Sequence, residues 1–342
     1  MNKIINYSNR NSDTYNPYQL GQNISENNND FFYNFKSKFK NKKLKKIVNV
    51  YQIDYINGRQ SSGFGDYLRG SVSLSIICSV LNLEFGMNVK NHPIAEYIDV
   101  TNNTDDNISY EKVSRIALHC NFQKDFEELI NHINNIDAEI CYIFTIFAYK
   151  QHEILSKINL SSLQKPKLNV NKNIFPTNEF NNIIFEMLSR YNLTPKNYGI
   201  IHIRAGDDFL VDNKINKTYI GNLIQYVIKK LQIKIMSSKK YIIISDNLYV
   251  KSIIKQNFKN IIAIEPSGSI PVHLGVGKVD KYNVMLTMMD FFLLTMSAQV
   301  ISFSRYGHGS GFSEWGSFLS NIPFEQYIYS DIKSNFNSLI IN

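Results

Sequence analysis

Residues 199–209 read GIIHIRAGDDF, an apolar run that ends in His202, Arg204, Gly206, Asp207 and Asp208. If 199–203 is a strand, His202 and Arg204 share one face and Ile203 takes the other. The guanidinium's fixed fork of donors matches phosphate oxygens, a strand end holds it still, and Gly206 lets the backbone turn close to a ligand. An Arg–Asp salt bridge that closes the loop accounts for the same residues, and the motif alone does not choose between the two.

Two further apolar runs end in polar groups. YIIIS (241–245) leads into Asp246 and Asn247, where Ser245 or Asp246 caps the next helix or Asp246 accepts hydrogen bonds from a base or ribose; capping is the simpler account. VISFS (300–304) leads into RYGHGS and then GFSEWGSFL. Ser and Gly opening a helix present backbone N–H groups and hydroxyls at the positive end of its dipole, which suits a diphosphate, although a Gly-rich turn with a capped helix also fits. The stretch has neither the spacing nor the lysine of a P-loop, which argues against a P-loop kinase. An Arg, an Asp and a Ser/Gly helix start at three strand ends together describe a nucleotide-diphosphate site better than three unrelated turns.

These ends need elements to hold them. After residue 199 the pattern alternates: strand 199–203, helix 219–233 with apolar Ile220, Leu223, Val227 and Leu231, strand 241–245, helix 248–257, strand 260–264, helix 282–297, strand 300–304 and a helix from 311. Continuous apolar strands alternating with helices predict an α/β fold whose parallel sheet is covered on both faces, with ligands beyond the carboxyl ends of its strands. The first half predicts a strand at 46–53, a Gly/Ser-rich turn at 57–70, an apolar helix at 67–83, a strand at 84–89 and a helix at 122–135. AEICYIFTIFAY (138–149) fits either a buried strand or a helix. The polar, proline-containing stretch 161–177 leads into the crossing between two domains. The boundaries drawn are an Asn/Lys-rich arm at 1–45, a first domain at 46–175, a second at 176–330 and a tail at 331–342.

Composition sets the outer bounds. The 342 residues are 44% hydrophobic and 19% charged, ordinary for an enzyme-sized globular chain. Much of the net charge of +8 lies in KSKFKNKKLKK (36–46). A solvated basic arm explains it better than a nucleic-acid site, and contact with a membrane surface stays open. Cys78, Cys120 and Cys141 lack the spacing of a disulfide framework or a zinc site, and fit small core residues in a reducing compartment. No apolar leader and no run of transmembrane length is present, so the expectation is a soluble, unprocessed, cytoplasmic protein.

The set HIRAGDD, SDN, DFFLLTMSAQVISFS and GFSEWGSFL resembles the fucosyltransferase superfamily of GT-B fold, which includes the α1,2- and α1,6-fucosyltransferases and the protein O-fucosyltransferases. GFGDYLRG (63–70) is similar to that family's first glycine loop, and IFPTNEFNNII to the helix start before its Arg motif. The match runs in motif order from Arg59 to Leu319. It implies two Rossmann-like domains facing a central cleft, with the acceptor toward the first and the nucleotide sugar toward the second. It also implies inverting transfer of fucose from GDP-fucose to a glycan hydroxyl, with no cofactor, metal or nucleic acid involved, so Asp207 and Asp208 would not form a metal-binding pair.

By the same resemblance Arg204 would grip the β-phosphate and His202 would lie near the nucleotide. Asp246 would face guanine or ribose, while Ser304, Ser310, Gly311, Phe312 and Ser313 would hold the diphosphate. Gln299, Gly63, Gly65 and Gly206 would lie among the donor-binding positions. Three departures stand out: Asp66 replaces the usual Asn, Ala205 replaces a common second Arg, and RYGHGS, with His308, is inserted before GFSEW. Transfer through an oxocarbenium-like state needs a stabilised leaving diphosphate and a base for the acceptor hydroxyl. Arg204 serves the first need; Asp207 and Asp66, and behind them Asp208 or Glu314, are the carboxylates for the second. The alternatives are a related enzyme using another nucleotide sugar, and a non-catalytic binder of glycan or nucleic acid.

Overall fold

The computed structural model describes residues 36–51, 63–100, 108, 112–116, 122–145, 173–206, 217–264, 281–307 and 309–329. Short apolar runs of the first half pair as a parallel sheet. They are β1 (Lys46–Val50), β2 (Glu84–Asn88), β4 (Ser114–Ile116) and β5 (Ile140–Thr145), in the order β2-β1-β5-β4. β5 settles the ambiguity of AEICYIFT: lying between β1 and β4, it is buried as a central strand, where an unbroken apolar run belongs. Between β1 and β2 runs α1 (Phe64–Leu81), apolar on nearly every side and buried accordingly. It ends where Asn82 takes a left-handed conformation and donates to the carbonyls of Cys78 and Ser79. β3 (Ile98–Val100) pairs antiparallel with β6 (Ile174–Pro176), so the domain boundary drawn at 175/176 falls inside a strand that belongs with the first half.

The basic run is part of the fold rather than a loose arm. α2 (Phe122–Asn134) and the turn after it carry acidic groups that take its lysines: Lys38 with Glu127 at 3.2 Å, Lys43 with Asp137 at 2.8 Å and Lys45 with Glu139 at 2.6 Å. Asn41 also donates to the carbonyls of Ile133 and Ile136, which pins the segment to the end of α2. The folded part therefore begins before residue 46.

α3 (Asn178–Arg190) buries Phe180, Ile184 and Leu188 at a helical spacing. The second sheet follows: β7 (Tyr198–Arg204), α4 (Lys217–Lys234), β8 (Lys240–Ser245), α5 (Leu248–Asn257), β9 (Ile261–Ile262), α6 (Lys281–Thr295), β10 (Gln299–Ser304), α7 (Gly311–Leu319) and β11 (Phe324–Ile328). Its five strands are parallel, in the order β11-β10-β7-β8-β9. Ile200, Ile242, Ile244 and Val300 point to one face, against α6 and α7. Ile201, Ile203, Ile243, Ile301 and Phe303 point to the other, against α4 and α5. Both faces are covered, as continuous apolar strands require. β11 (FEQYI) carries Glu325 and Gln326 at the sheet edge, and its mixed composition left no strand signal.

One core joins the two sheets, running from Ile47 and Leu68 through Phe291 and Leu294 to Val300 and Trp315. Phe64 meets Phe291 edge-on at 5.0 Å. On the far side Tyr97 donates to the Lys281 carbonyl at 3.1 Å, and Lys281 pairs with Glu96 at 2.6 Å. Where α1 meets α7 the chains are so close that a Cβ on Gly65 would fall on the backbone of Gly311 and Phe312. Cys78 and Cys141 are buried and free; burial pushes the Cys141 thiol up to about 12 and Cys78 higher still. Cys120 lies outside the described residues. Among those residues no helix is long and apolar enough to cross a membrane.

The Gly65–Gly311 contact makes a direct prediction. Gly65→Ala should lower stability by about 1–3 kcal/mol, because backbone rather than a flexible side chain must move. Gly221→Ala, in an exposed stretch of α4 with nothing within 4 Å, should raise it by about 0.5–1 kcal/mol. Urea unfolding of both variants checks the pair.

Candidate functional site

The β7–β8 register opposes Ile203 to Ser245, so Arg204 and Asp246 leave the sheet side by side. Arg204 Nη1 donates to Asp246 Oδ2 at 2.9 Å, the Ala205 N–H to Oδ1 at 2.7 Å and the Gly206 N–H to Oδ2 at 3.1 Å. Side-chain exposure is 15% for Arg204 and 8% for Asp246, so this charge pair is largely removed from water. Three donors of one turn thus converge on the carboxylate expected to face a base or ribose. It does not cap α5. Asn247 does, accepting from the Val250 N–H at 3.0 Å, while Ser245 Oγ takes the Asn247 N–H at 3.1 Å. Arg204 is therefore aimed by an aspartate from the neighbouring strand end, while the bridge within 204–208 that the sequence also allowed involves Asp207 or Asp208, outside the described residues. Removing one partner of a buried pair strands the other charge, so Asp246→Ala should cost about 3–5 kcal/mol in urea unfolding.

The next strand end faces the same turn. Ser304 is opposite Arg204 in register, and the Arg305 N–H donates to the Arg204 carbonyl at 3.3 Å. Ser304 is fully buried, and its Oγ accepts the Tyr306 N–H at 3.1 Å, so it braces the turn. Gly206 has a φ of 133°, and a Cβ there would stand 2.5 Å from Arg305 Cδ and 2.7 Å from its Nη1. The space that glycine leaves is taken by the Arg305 side chain. The Arg305 guanidinium lies 5.0 Å from the Tyr219 ring and 5.8 Å from the Tyr306 ring; Arg204 is 5.9 Å from that second ring. Asp207, Asp208 and His308 lie outside the described residues.

At the start of α7, Ser310 holds the N-cap position without a side-chain cap bond. Ser313 turns inward: its Oγ is 3.0 Å from His202 Nδ1 and from Ser302 Oγ, and 3.3 Å from the Ser310 carbonyl. Phe312 points its ring at His202 and Phe291, at 5.8 and 5.7 Å. His202 is 5% exposed, and burial, helped by Arg204, pushes its imidazole down to about 3. His202, Ser302 and Ser313 thus tie the helix start to β7 and β10. What α7 can offer a ligand is the N–H groups of its first turn, which have no acceptor within the helix.

His202 gives a prediction with a definite sign. Its folded pKa lies below the unfolded value near 6.5, so its contribution to stability is full above that pH and is lost as pH falls toward 3. The stability gap between wild type and His202→Asn should narrow by about 2 kcal/mol from pH 7 to pH 5, measured by denaturation at each pH.

α1 supplies the facing wall. It begins at Gly63, also without a side-chain cap bond. Asp66, 38% exposed, pairs with Arg69 at 2.9 Å, and Arg69 Nε is buried with no hydrogen-bond partner. Through Gly65 and Gly311 the N-termini of α1 and α7 meet. The positive ends of two helix dipoles are thereby brought together, with Asp66 and Glu314 in their first turns. Gln299 lies elsewhere. It opens β10 opposite Gly199 and donates to the Tyr241 hydroxyl at 3.1 Å, at the other end of the strands from Arg204, about 17 Å away at the usual rise per residue.

Arg305, Tyr306 and Asp290 were missed. Asp290 on α6 is pushed up to about 6 by burial, opposed by Lys251, whose ammonium donates to the Ile264 carbonyl just past β9 at 3.1 Å. The position of Asp290 inside an apolar helix gave no sign of this in the sequence. Arg305 could have been found from register, because it follows the residue opposite Arg204. Among the described residues no group of three His, Cys, Asp or Glu side chains is placed to hold a metal ion.

No family model and no curated protein sequence matches the chain. The fold, by contrast, matches solved structures of fucosyltransferases. The α-1,6-fucosyltransferase NodZ soaked with GDP-fucose covers 87% of this chain and 99% of its own, at 12% identity and a TM-score of 0.51. Selenomethionine NodZ from Bradyrhizobium has the same coverage at 14% identity and 0.50. A mutant of Arabidopsis thaliana FUT1 in complex with GDP covers 88% of this chain and 74% of its own, at 12% identity and 0.52. Such distant likeness establishes the α/β, GT-B-type architecture with its parallel sheets.

Proposed function

We propose that this chain is a glycosyltransferase that moves fucose from GDP-fucose to a glycan hydroxyl, with inversion and without a metal ion. The observation that carries this is the meeting of two helix N-termini lacking side-chain caps, α1 and α7, beside the Arg204–Asp246 clamp at the carboxyl ends of the second sheet. The fold shared with NodZ soaked with GDP-fucose and with FUT1 in complex with GDP supports the same reading.

The chemistry follows from charge. As the bond from the sugar's anomeric carbon to the diphosphate breaks, negative charge grows on the β-phosphate while the sugar becomes oxocarbenium-like. Arg204, already fixed by Asp246, and the first-turn N–H groups of α7 meet that charge without reorganising. Inversion requires the acceptor hydroxyl to attack from the opposite side. Asp66, partly exposed on α1, is one group that could take its proton; Asp207, next in the chain after the clamped turn, is the other. The first domain is the side from which an acceptor would approach, and the division into an acceptor half and a donor half belongs to this proposal.

Calorimetric titration of GDP, UDP and dTDP tests it. GDP should bind, and Arg204→Ala should weaken it about 10- to 100-fold. Failure of every nucleotide to bind would sink the enzyme reading, and preference for UDP would sink the fucose reading. Loss of donor hydrolysis in EDTA would contradict the metal-free mechanism.

A further inference from the structure

We propose that Arg305 is a second phosphate-binding side chain, acting with Arg204 on the diphosphate of a nucleoside diphosphate. The proposal rests on the nucleotide-sugar reading given above and extends it to a residue outside the motifs. Three observations converge on it. The β10–β7 register and the bond from the Arg305 N–H to the Arg204 carbonyl set the two arginines on adjoining strand ends. The two guanidinium groups flank one ring, Tyr306, at 5.8 and 5.9 Å. Gly206 is shaped around Arg305: any side chain there would collide with its Cδ and Nη1.

A guanidinium stacks through its face and binds phosphate through its edge. Tyr219 and Tyr306 engage the face of Arg305, which sets the plane of the fork beside the clamped turn. Arg305 directly follows β10 in the segment leading to α7, so it lies in the strand-to-helix position that lines ligand crevices in parallel sheets. The floor of that segment also presents a donor. The Gln326 amide lies against Gly309, and its Nε2 is buried with no hydrogen-bond partner. A diphosphate spreads its charge over two phosphorus centres, and two guanidinium groups on neighbouring strands suit that charge better than one.

The test is titration of GDP, GMP and guanosine into wild type, Arg305→Gln and Arg305→Lys, with thermal unfolding of each protein. The expected result is a loss of about 10- to 100-fold in GDP affinity for Arg305→Gln, a smaller loss for GMP, no change for guanosine and partial recovery in Arg305→Lys. An unchanged GDP affinity in Arg305→Gln overturns the inference. So does an equal loss for all three ligands with a fall in melting temperature, which would make Arg305 only a brace of the turn. If wild type prefers UDP, the series is repeated with UDP, UMP and uridine; the inference then stands or falls on its own while the fucose reading fails. Absence of binding by wild type to every nucleotide overturns both.

Discussion

The Asp246 carboxylate accepts from Arg204 Nη1 and from two consecutive backbone N–H groups, and the rest of the site is built around those three bonds. A carboxylate this little exposed is tolerable only when its lone pairs are filled and its charge is matched. Both conditions are met by the one turn, so the electrostatic cost of burial and the shape of the strand end are the same constraint. Because the turn is held, Gly206 keeps the positive φ that admits Arg305, and Arg204 keeps an orientation a free side chain would lose to rotamer entropy.

The second constraint is steric. α1 follows a strand of the first sheet and α7 a strand of the second, yet their first turns touch backbone to backbone at Gly65 and Gly311. His202, Ser302 and Ser313 fix α7 from beneath, and Phe64 on Phe291 fixes α1 from the side. The two helix starts brought together each carry a carboxylate in the first turn, Asp66 and Glu314, which suits the positive ends of the dipoles. Burial also pushes the Asp290 carboxyl up to about 6, against the opposing charge of Lys251.

Much of the scaffold was legible in the sequence. Helix 248–257 was read with its observed bounds, because Asn247 caps a segment whose apolar residues recur at helical spacing. β11 was not legible, since Glu325 and Gln326 break its apolar pattern at the sheet edge. At the site, Arg204 and Asp246 stood out as polar residues ending apolar runs. Their partnership did not, and neither did the inward turn of Ser304 and Ser313 or the packing of Phe312. Gln299, matched by motif to a donor-binding position, opens its strand at the end away from Arg204, because a motif match carries position along the chain but not direction in space. Arg305 lay in a turn that looked like an insertion, although register makes it the neighbour of Ala205.

Hydrophobic periodicity is local, so the sequence by itself determined the alternating strands and helices between 199 and 304, that their sheet is covered on both faces, and where charge begins at strand ends. Which ends meet was decided only by tertiary structure. Arg204 finds Asp246 through strand order, Arg305 reaches Gly206 through register, and Gly65 reaches Gly311 through a core that joins two sheets. None of these contacts leaves a local pattern, because each joins segments far apart in the chain whose side chains converge only once the apolar faces have packed.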